Sequence, residues 1–130
     1  MEPNAPVYAV WIPGQPRPWK RHVAGGRTHP VDMAWRVRMR AGWLEQVGCL
    51  NLTGPCELTV VFVGANPRMD LDNGIKGVLE ALQGTCWPDG VTPAWWDDNQ
   101  VRVIAFAASV APQSRCTPDA GVWLCVRPLD

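Results

Sequence analysis

Alternation of apolar and polar positions predicts where this chain forms β-strands. The clearest case is residues 56–63, where Leu58, Val60 and Phe62 fall on one side and Glu57 on the other. Three further runs are rich in β-branched and aromatic residues and are also predicted strands: residues 7–12, 101–111 and 121–127. Since only a turn-rich stretch separates the last two, we expect them to pair as a hairpin.

Two other segments carry apolar residues at helical spacing. The first runs from Pro30 to about Val47, and its buried stripe is predicted to be Ala34, Val37, Ala41 and Leu44. The second runs from about Leu71 to Gln83, with Gly84 as its stop signal. Its predicted core-facing residues are Ile75, Val78, Leu79 and Leu82.

The order of these elements predicts the fold class. Strand, helix, strand, helix, strand, strand (β-α-β-α-β-β) indicates an α+β fold, a single domain over residues 1–130, with a mixed sheet and both helices on one face. The chain has no long apolar run and no signal-peptide pattern, so we expect a cytoplasmic protein with no membrane partner. Its five cysteines are odd in number and scattered, which favours reduced thiols.

The first candidate for a functional site is the stretch from Arg68 to Lys76. Asp70 and Asp72 are two positions apart, so in an extended segment both point to one side. They lie where a loop enters the second predicted helix, and a helix N-terminus keeps carboxylates ionised for a hard cation such as Mg²⁺. Lys76 follows Asp72 by one helical turn, and Gly74 and Gly77 are expected to leave the backbone accessible. The alternative is that the acids are helix caps and that Lys76 pairs with a neighbour.

A second acidic cluster, Asp97 and Asp98, stands just before the third predicted strand. If residues 96–101 are extended, the two carboxylates point to opposite sides and only one joins Asp70 and Asp72. Carboxylates gathered at the ends of elements, together with a lysine, are typical of metal-assisted phosphoryl chemistry.

Charge is unevenly distributed although the net charge is zero. Residues 17–40 hold seven of the twelve basic residues and one acid, which gives this segment a charge of +6. Such a segment suits a nucleic-acid backbone, although a solvated basic face is the alternative. Since Arg36 and Arg40 share no acidic partner at i,i+4 spacing on the helix, we expect their charge to be free. The candidate nucleic-acid-binding residues are Arg17, Lys20, Arg21, Arg27, Arg36 and Arg40, and the family resemblance given below implies that the nucleic acid is DNA.

A tryptophan-rich loop is predicted at residues 85–96, which contain three tryptophans and two prolines. Such a loop either covers apolar surface of its own domain or docks on a partner. It also contains Trp87-Pro88-Asp89, which weakly imitates Trp96-Asp97-Asp98.

The chain from about residue 5 to 127 resembles the RusA family of Holliday-junction resolvases. The resemblance rests on motifs in the family's order: Pro13-Gly14, Arg27-Thr28-His29, Ala34-Trp35-Arg36, Asp70-Leu71-Asp72-Asn73 with Lys76, Leu79-Glu80-Ala81-Leu82, and Trp96-Asp97-Asp98-Asn99-Gln100-Val101. The segment before Asp97 is longer than the family usually has.

The resemblance implies a crossover junction endodeoxyribonuclease that acts as a homodimer on branched DNA. It implies that Asp70, Asp72 and Asp98 bind Mg²⁺ and that Lys76 is catalytic. Asp97 is the close competitor of Asp98 for the third ligand position, and Asp89 is a further candidate. Two rival functions remain: a DNA-junction-binding module without activity and a metal-dependent nucleotide-sugar transferase.

Overall fold

Six regular elements build the fold seen in a computed structural model, which describes residues 6–18, 30–66, 68–110 and 120–129. In chain order they are β1 (Tyr8–Pro13), α1 (Pro30–Gln46), β2 (Cys56–Val63), α2 (Leu71–Ala81), β3 (Val101–Val110) and β4 (Gly121–Pro128). The predicted element order and the α+β class are confirmed. Within the described ranges, no helix is both long enough and apolar enough to span a membrane.

The four strands form one mixed sheet with the order β1-β4-β2-β3. Strand β4 lies between β1 and β2 and is antiparallel to both, whereas β3 pairs with β2 in parallel. The predicted β3–β4 hairpin is therefore wrong. Helix α2 returns the chain across the sheet after β2, so β3 runs parallel to β2. Strand β4 pairs with β2 on the side opposite to β3.

The core lies between one face of the sheet and the two helices. Leu58, Val60 and Phe62 of β2 are all fully buried, as their alternation predicts. Neighbouring strands add five more core residues on the same face: Val10, Ile12, Val122, Leu124 and Val126. Val78 of α2 and Trp43 of α1 pack into the same cluster. Both helices therefore cover one face of the sheet, and no helix of the described ranges lies on the other face.

Helix α1 uses a different face from the predicted one. Its buried side chains are Asp32, Trp35, Arg36, Met39 and Trp43, whereas Val37 is 47% exposed and Ala34 and Ala41 are exposed. Both stripes have helical spacing, but a tryptophan buries about 150–250 Å² and an alanine far less. The larger aromatic stripe therefore faces the core. Asp32 and Arg36 are buried with it because each has an ion-pair partner.

The tryptophan-rich loop closes the end of α2, which stops at Ala81 rather than at the predicted Gln83. The indole N–H of Trp87 donates to the carbonyl of Ala81 at 2.9 Å, and that of Trp95 donates to the carbonyl of Leu79 at 3.1 Å. These carbonyls belong to the last turn, where helical partners are missing. Trp95 is fully buried. Of the two predicted roles for this loop, covering the domain's own surface is confirmed.

Candidate functional site

Asp70 and Asp72 lie at the N-terminus of α2. Asp70 is the N-cap residue, and its Oδ1 accepts a hydrogen bond from the backbone N–H of Asp72 at 3.1 Å. The capping alternative is therefore confirmed for Asp70. Both side chains are exposed, and one hydrogen bond leaves a carboxylate with further acceptor capacity. The pair therefore keeps the oxygen donors that a hard cation requires.

Lys76 is exposed one turn after Asp72 on α2, as predicted. Glu80 follows one turn later, so acid, base and acid succeed each other along the helix surface. Gly74 and Gly77 are buried instead of leaving accessible backbone, which corrects the prediction. A Cβ on Gly74 would lie 2.9 Å from the ring of Phe62. This close approach fixes α2 on the sheet and so sets the direction of its polar face.

Asp98 begins a short 3₁₀ turn (Asp98–Gln100), and Asp97 precedes it as the N-cap residue, so residues 96–101 are not extended throughout. Asp97 caps the turn by accepting from the N–H of Asn99 at 2.9 Å, and Gln100 Oε1 accepts from the N–H of Asp97 at 3.1 Å. This reciprocal arrangement is a capping box. The structure therefore gives Asp97 a local role in holding the backbone.

Asp98 has a different environment from Asp97. Partial burial raises the pKa of its carboxyl, and the adjacent Asp97 raises it further through a hydrogen bond and its charge. The fold thus disfavours the ionised form of Asp98 relative to the unfolded chain. A carboxyl whose pKa is shifted in this way is typical of a functional position, although structural networks also produce it.

The two acidic pairs remain separate in the structure. Asp98 contributes to the raised pKa of Cys86, which lies in a turn after the C-terminal end of α2. Asp70 begins the opposite end of that helix. In the part of the chain that the structure describes, no group of three or more His, Cys, Asp or Glu side chains is placed to hold a metal ion. Asp70 with Asp72, and Asp97 with Asp98, are therefore neighbours, but they do not form one ligand set.

The three described arginines of the predicted DNA-binding set each form an ion pair. Arg17 pairs with Asp32 at 3.0 Å, Arg36 with Glu80 at 2.9 Å, and Arg40 with Asp89. The expectation that Arg36 and Arg40 have free charge is wrong, because their partners come from distant segments. The remaining predicted residues lie outside the described part of the chain: Lys20, Arg21 and Arg27.

Arg36 and Arg40 differ in how far solvent reaches them. Arg36 is 8% exposed, and its Nη2 is buried without a hydrogen-bond partner. The ion pair of Arg36 with Glu80 joins α1 to α2. Spacing along the sequence relates Glu80 to Lys76 and not to Arg36, so the sequence alone does not predict this pair. Arg40 also lies 4.5 Å above the ring of Trp87. The side chain of Asp89 is 48% exposed, and its carboxylate forms the ion pair with Arg40.

A surface groove adjoins the basic segment between the end of β1 and the start of α1. Its volume is about 260 Å³, and its lining includes Arg17, Trp35 and Arg38. Arg38 donates to the carbonyl of Pro13 at 3.2 Å. The groove is therefore lined by cationic side chains beside an aromatic one.

Comparison with models of known protein families gives no match for this chain, and no curated protein matches it.

Proposed function

We propose that the protein is a Mg²⁺-dependent, structure-specific endodeoxyribonuclease that resolves four-way DNA junctions by paired, symmetric phosphodiester hydrolysis. The proposal includes a homodimer that acts on DNA in the cytoplasm of a bacterial or phage-infected cell. The observation that carries it is the exposed Asp70–Asp72 pair at the N-terminus of α2, with Lys76 one turn away. The family resemblance supplies the choice of DNA junctions as substrate.

The aspartate side chains offer the kind of ligand atom that Mg²⁺ binds, namely carboxylate oxygen. This ion prefers oxygen ligands and usually takes one or two carboxylates, with waters and substrate phosphates completing its shell. Asp70 and Asp72 supply two carboxylates. The family resemblance proposes Asp98 as the third ligand, although the described residues of a single chain do not group it with the other two. Asp97 is engaged in the capping box and Asp89 in the pair with Arg40, which favours Asp98 over both. When bound, the ion would acidify a water molecule and offset phosphate charge.

The chain's own residues then have separate tasks. Lys76 offsets the negative charge that develops on the phosphoryl oxygens. The Arg36–Glu80 pair holds α1 against α2, so the position of the acidic helix is fixed relative to the basic segment. Burial of Arg36 argues against a direct phosphate contact by this residue. The proposed backbone contacts are made by Arg17, Lys20, Arg21, Arg27 and Arg40.

A homodimer suits this reaction, because resolution of a junction requires two cuts in strands related by symmetry. A two-fold assembly presents two identical sites in the matching arrangement. Each subunit would contribute one acidic helix and one basic segment.

The decisive assay compares an immobile four-way junction with a linear duplex of the same sequence, each with Mg²⁺ and with EDTA. We expect paired cuts in the junction only with Mg²⁺, and little cutting of the duplex. Junction binding without cleavage under any metal condition would favour the binding-module alternative. Hydrolysis of a nucleotide sugar without action on DNA would favour the transferase.

A further inference from the structure

One tryptophan of the loop at residues 85–96 remains exposed, although the fold uses the other two. Trp87 and Trp95 each donate an indole N–H to a carbonyl of α2, and Trp95 is fully buried. Trp96, in contrast, is 52% exposed. Exposure of a single apolar side chain is common on protein surfaces, so the role of Trp96 depends on how it is held and on what lies beside it.

Hydrogen bonds hold the backbone of Trp96 on both sides. Its N–H donates to Oε1 of Gln100 at 3.0 Å, and its carbonyl accepts from the N–H of Thr85 at 3.2 Å. Gln100 is itself anchored, because its Nε2 donates to the carbonyl of Gly54 at 3.0 Å. Trp96 therefore belongs to a supported turn, and a residue whose backbone is already ordered loses little conformational freedom when its side chain binds a ligand.

The indole ring of Trp96 packs against Gly84, which is buried. A Cβ on Gly84 would lie 2.8 Å from Cε3 of the ring, so the absence of a side chain at this position gives the ring its seat. One part of the ring is thus supported by protein, and about half of the side chain faces solvent. An aromatic ring that is supported from behind and open in front is suited to stacking on a nucleic-acid base.

Trp96 is also close to Asp98, which the family resemblance proposes as the third metal ligand. The intervening Asp97 has extended backbone, with φ −137° and ψ 140°, and side chains that flank an extended residue point to the same side. The Cα atoms of Trp96 and Asp98 are then at most roughly 7 Å apart. Since a base and the phosphate of its own nucleotide have a comparable separation, one nucleotide can reach both residues.

We infer that Trp96 stacks on an unpaired or unstacked base at the branch point of the junction, beside the scissile phosphate. A branch interrupts the regular stacking of the duplex, so a base next to it presents its face at a lower cost than a base inside a continuous helix. Every base has a π-face, and the contact therefore selects for an accessible face and not for sequence. This inference rests on the proposed nuclease function and names a residue that gives it preference for branched DNA.

Combined changes in the protein and the DNA test the inference, with junction binding measured in EDTA so that no strand is cut. Base–aromatic stacking is worth about 1–3 kcal/mol, which corresponds to about 5-fold to 150-fold in affinity. Trp96→Leu should lose affinity for the intact junction within this range. Trp96→Phe is the matched control and should lose much less, because it keeps an aromatic ring. On a junction that is abasic at the branch-point positions, the wild type and Trp96→Leu should bind equally well.

The abasic junction separates stacking from a structural role of Trp96. A structural role does not depend on the presence of the DNA base, so equal losses by Trp96→Leu on intact and abasic junctions would overturn the inference and leave the nuclease proposal standing. Failure of the wild type to bind any branched DNA would overturn both. The two failures are therefore distinguishable.

Hydroxyl-radical footprinting of the unmodified protein gives a second test, which does not depend on the folding of a variant. Saturating intact junction should reduce oxidation of Trp96 severalfold below that of the DNA-free protein. The abasic junction and a linear duplex, each at the same total DNA concentration, should protect Trp96 much less. Equal oxidation of Trp96 with intact and abasic junctions, both bound, would overturn the inference and would direct the exposed ring to another contact, such as a protein partner.

Discussion

Replacing Asp98 and Asp97 separately distinguishes a metal ligand from a structural cap. Asp98→Asn should reduce Mg²⁺-dependent cleavage by about 100-fold or more, since even outer partners of metal ligands are worth 10–100-fold. Asp97→Asn should have a mild effect, because asparagine caps a turn as well as aspartate does. Asp89→Asn, at a carboxylate held by Arg40, should have almost none.

The stability of the same variants should change in the opposite order. Asp97→Ala removes the side chain that accepts from Asn99, and loss of such a cap costs about 1 kcal/mol. For a domain of this size that lowers the melting temperature by about 3–4 °C. Asp98→Asn should leave the protein as stable as the wild type, or more stable, at pH 7, because burial and Asp97 disfavour the ionised form.

The sign of the pH dependence follows from the raised pKa of Asp98. A carboxyl whose pKa is higher in the folded state stabilises the fold below its unfolded pKa, about 4, and loses this effect as pH rises through the folded value. The advantage of Asp98→Asn should therefore be absent at low pH and grow as pH rises above about 4. Thermal melts from pH 3 to 8, combined with initial cleavage rates, measure both effects. A destabilised Asp98→Asn variant that cleaves at the wild-type rate would refute the assignment.

Three further substitutions test individual contacts. Arg40→Gln should weaken junction binding and lower the slope of log affinity against log salt by about 0.9; an unchanged slope would mean that Arg40 does not contact phosphate. Arg36→Ala should leave that slope unchanged but cost about 2 kcal/mol in urea unfolding, because it leaves Glu80 partly buried without its partner; an unaltered unfolding midpoint would contradict this. Gly121→Ala should cost about 1–3 kcal/mol or more, since its Cβ would lie 2.5 Å from the carbonyl oxygen of Ile12. Gly54→Ala is the control, as nothing lies within 4 Å of that Cβ, and equal stability of the two variants would refute the packing argument.

Local patterns predict the fold where one physical rule dominates. Alternation in β2 identifies Leu58, Val60 and Phe62 because side chains in a strand alternate with period two. In α1 two stripes of residues share the helical period, so periodicity does not show which of them faces the core. The larger apolar area of Trp35 and Trp43 decides this. The position of β4 between β1 and β2 depends on strand pairing across the whole chain, which no local pattern contains.

In the candidate site, too, contacts between residues close in sequence are predictable and contacts between distant residues are not. Capping of α2 by Asp70 follows from a rule that spans three residues. The pairing of Arg40 with Asp89 joins residues 49 positions apart, so a search one helical turn away misses it. The turn at Asp97 does have a local signal, because an acid followed three residues later by glutamine is close to a capping-box pattern. The strand-like run that begins at Val101 predicts β-structure directly after it.

Junction binding and junction cleavage by Asp70→Asn and Asp72→Asn provide the most direct test of the proposed metal-dependent nuclease. Asparagine retains the capping capacity of Asp70, so the fold should persist while the metal-binding charge is lost. The account predicts wild-type or tighter junction binding without metal, since a repulsive charge is removed, and no cleavage at any Mg²⁺ concentration. Near-normal Mg²⁺-dependent cutting by either variant, under conditions in which the wild type cuts, would contradict the assigned site.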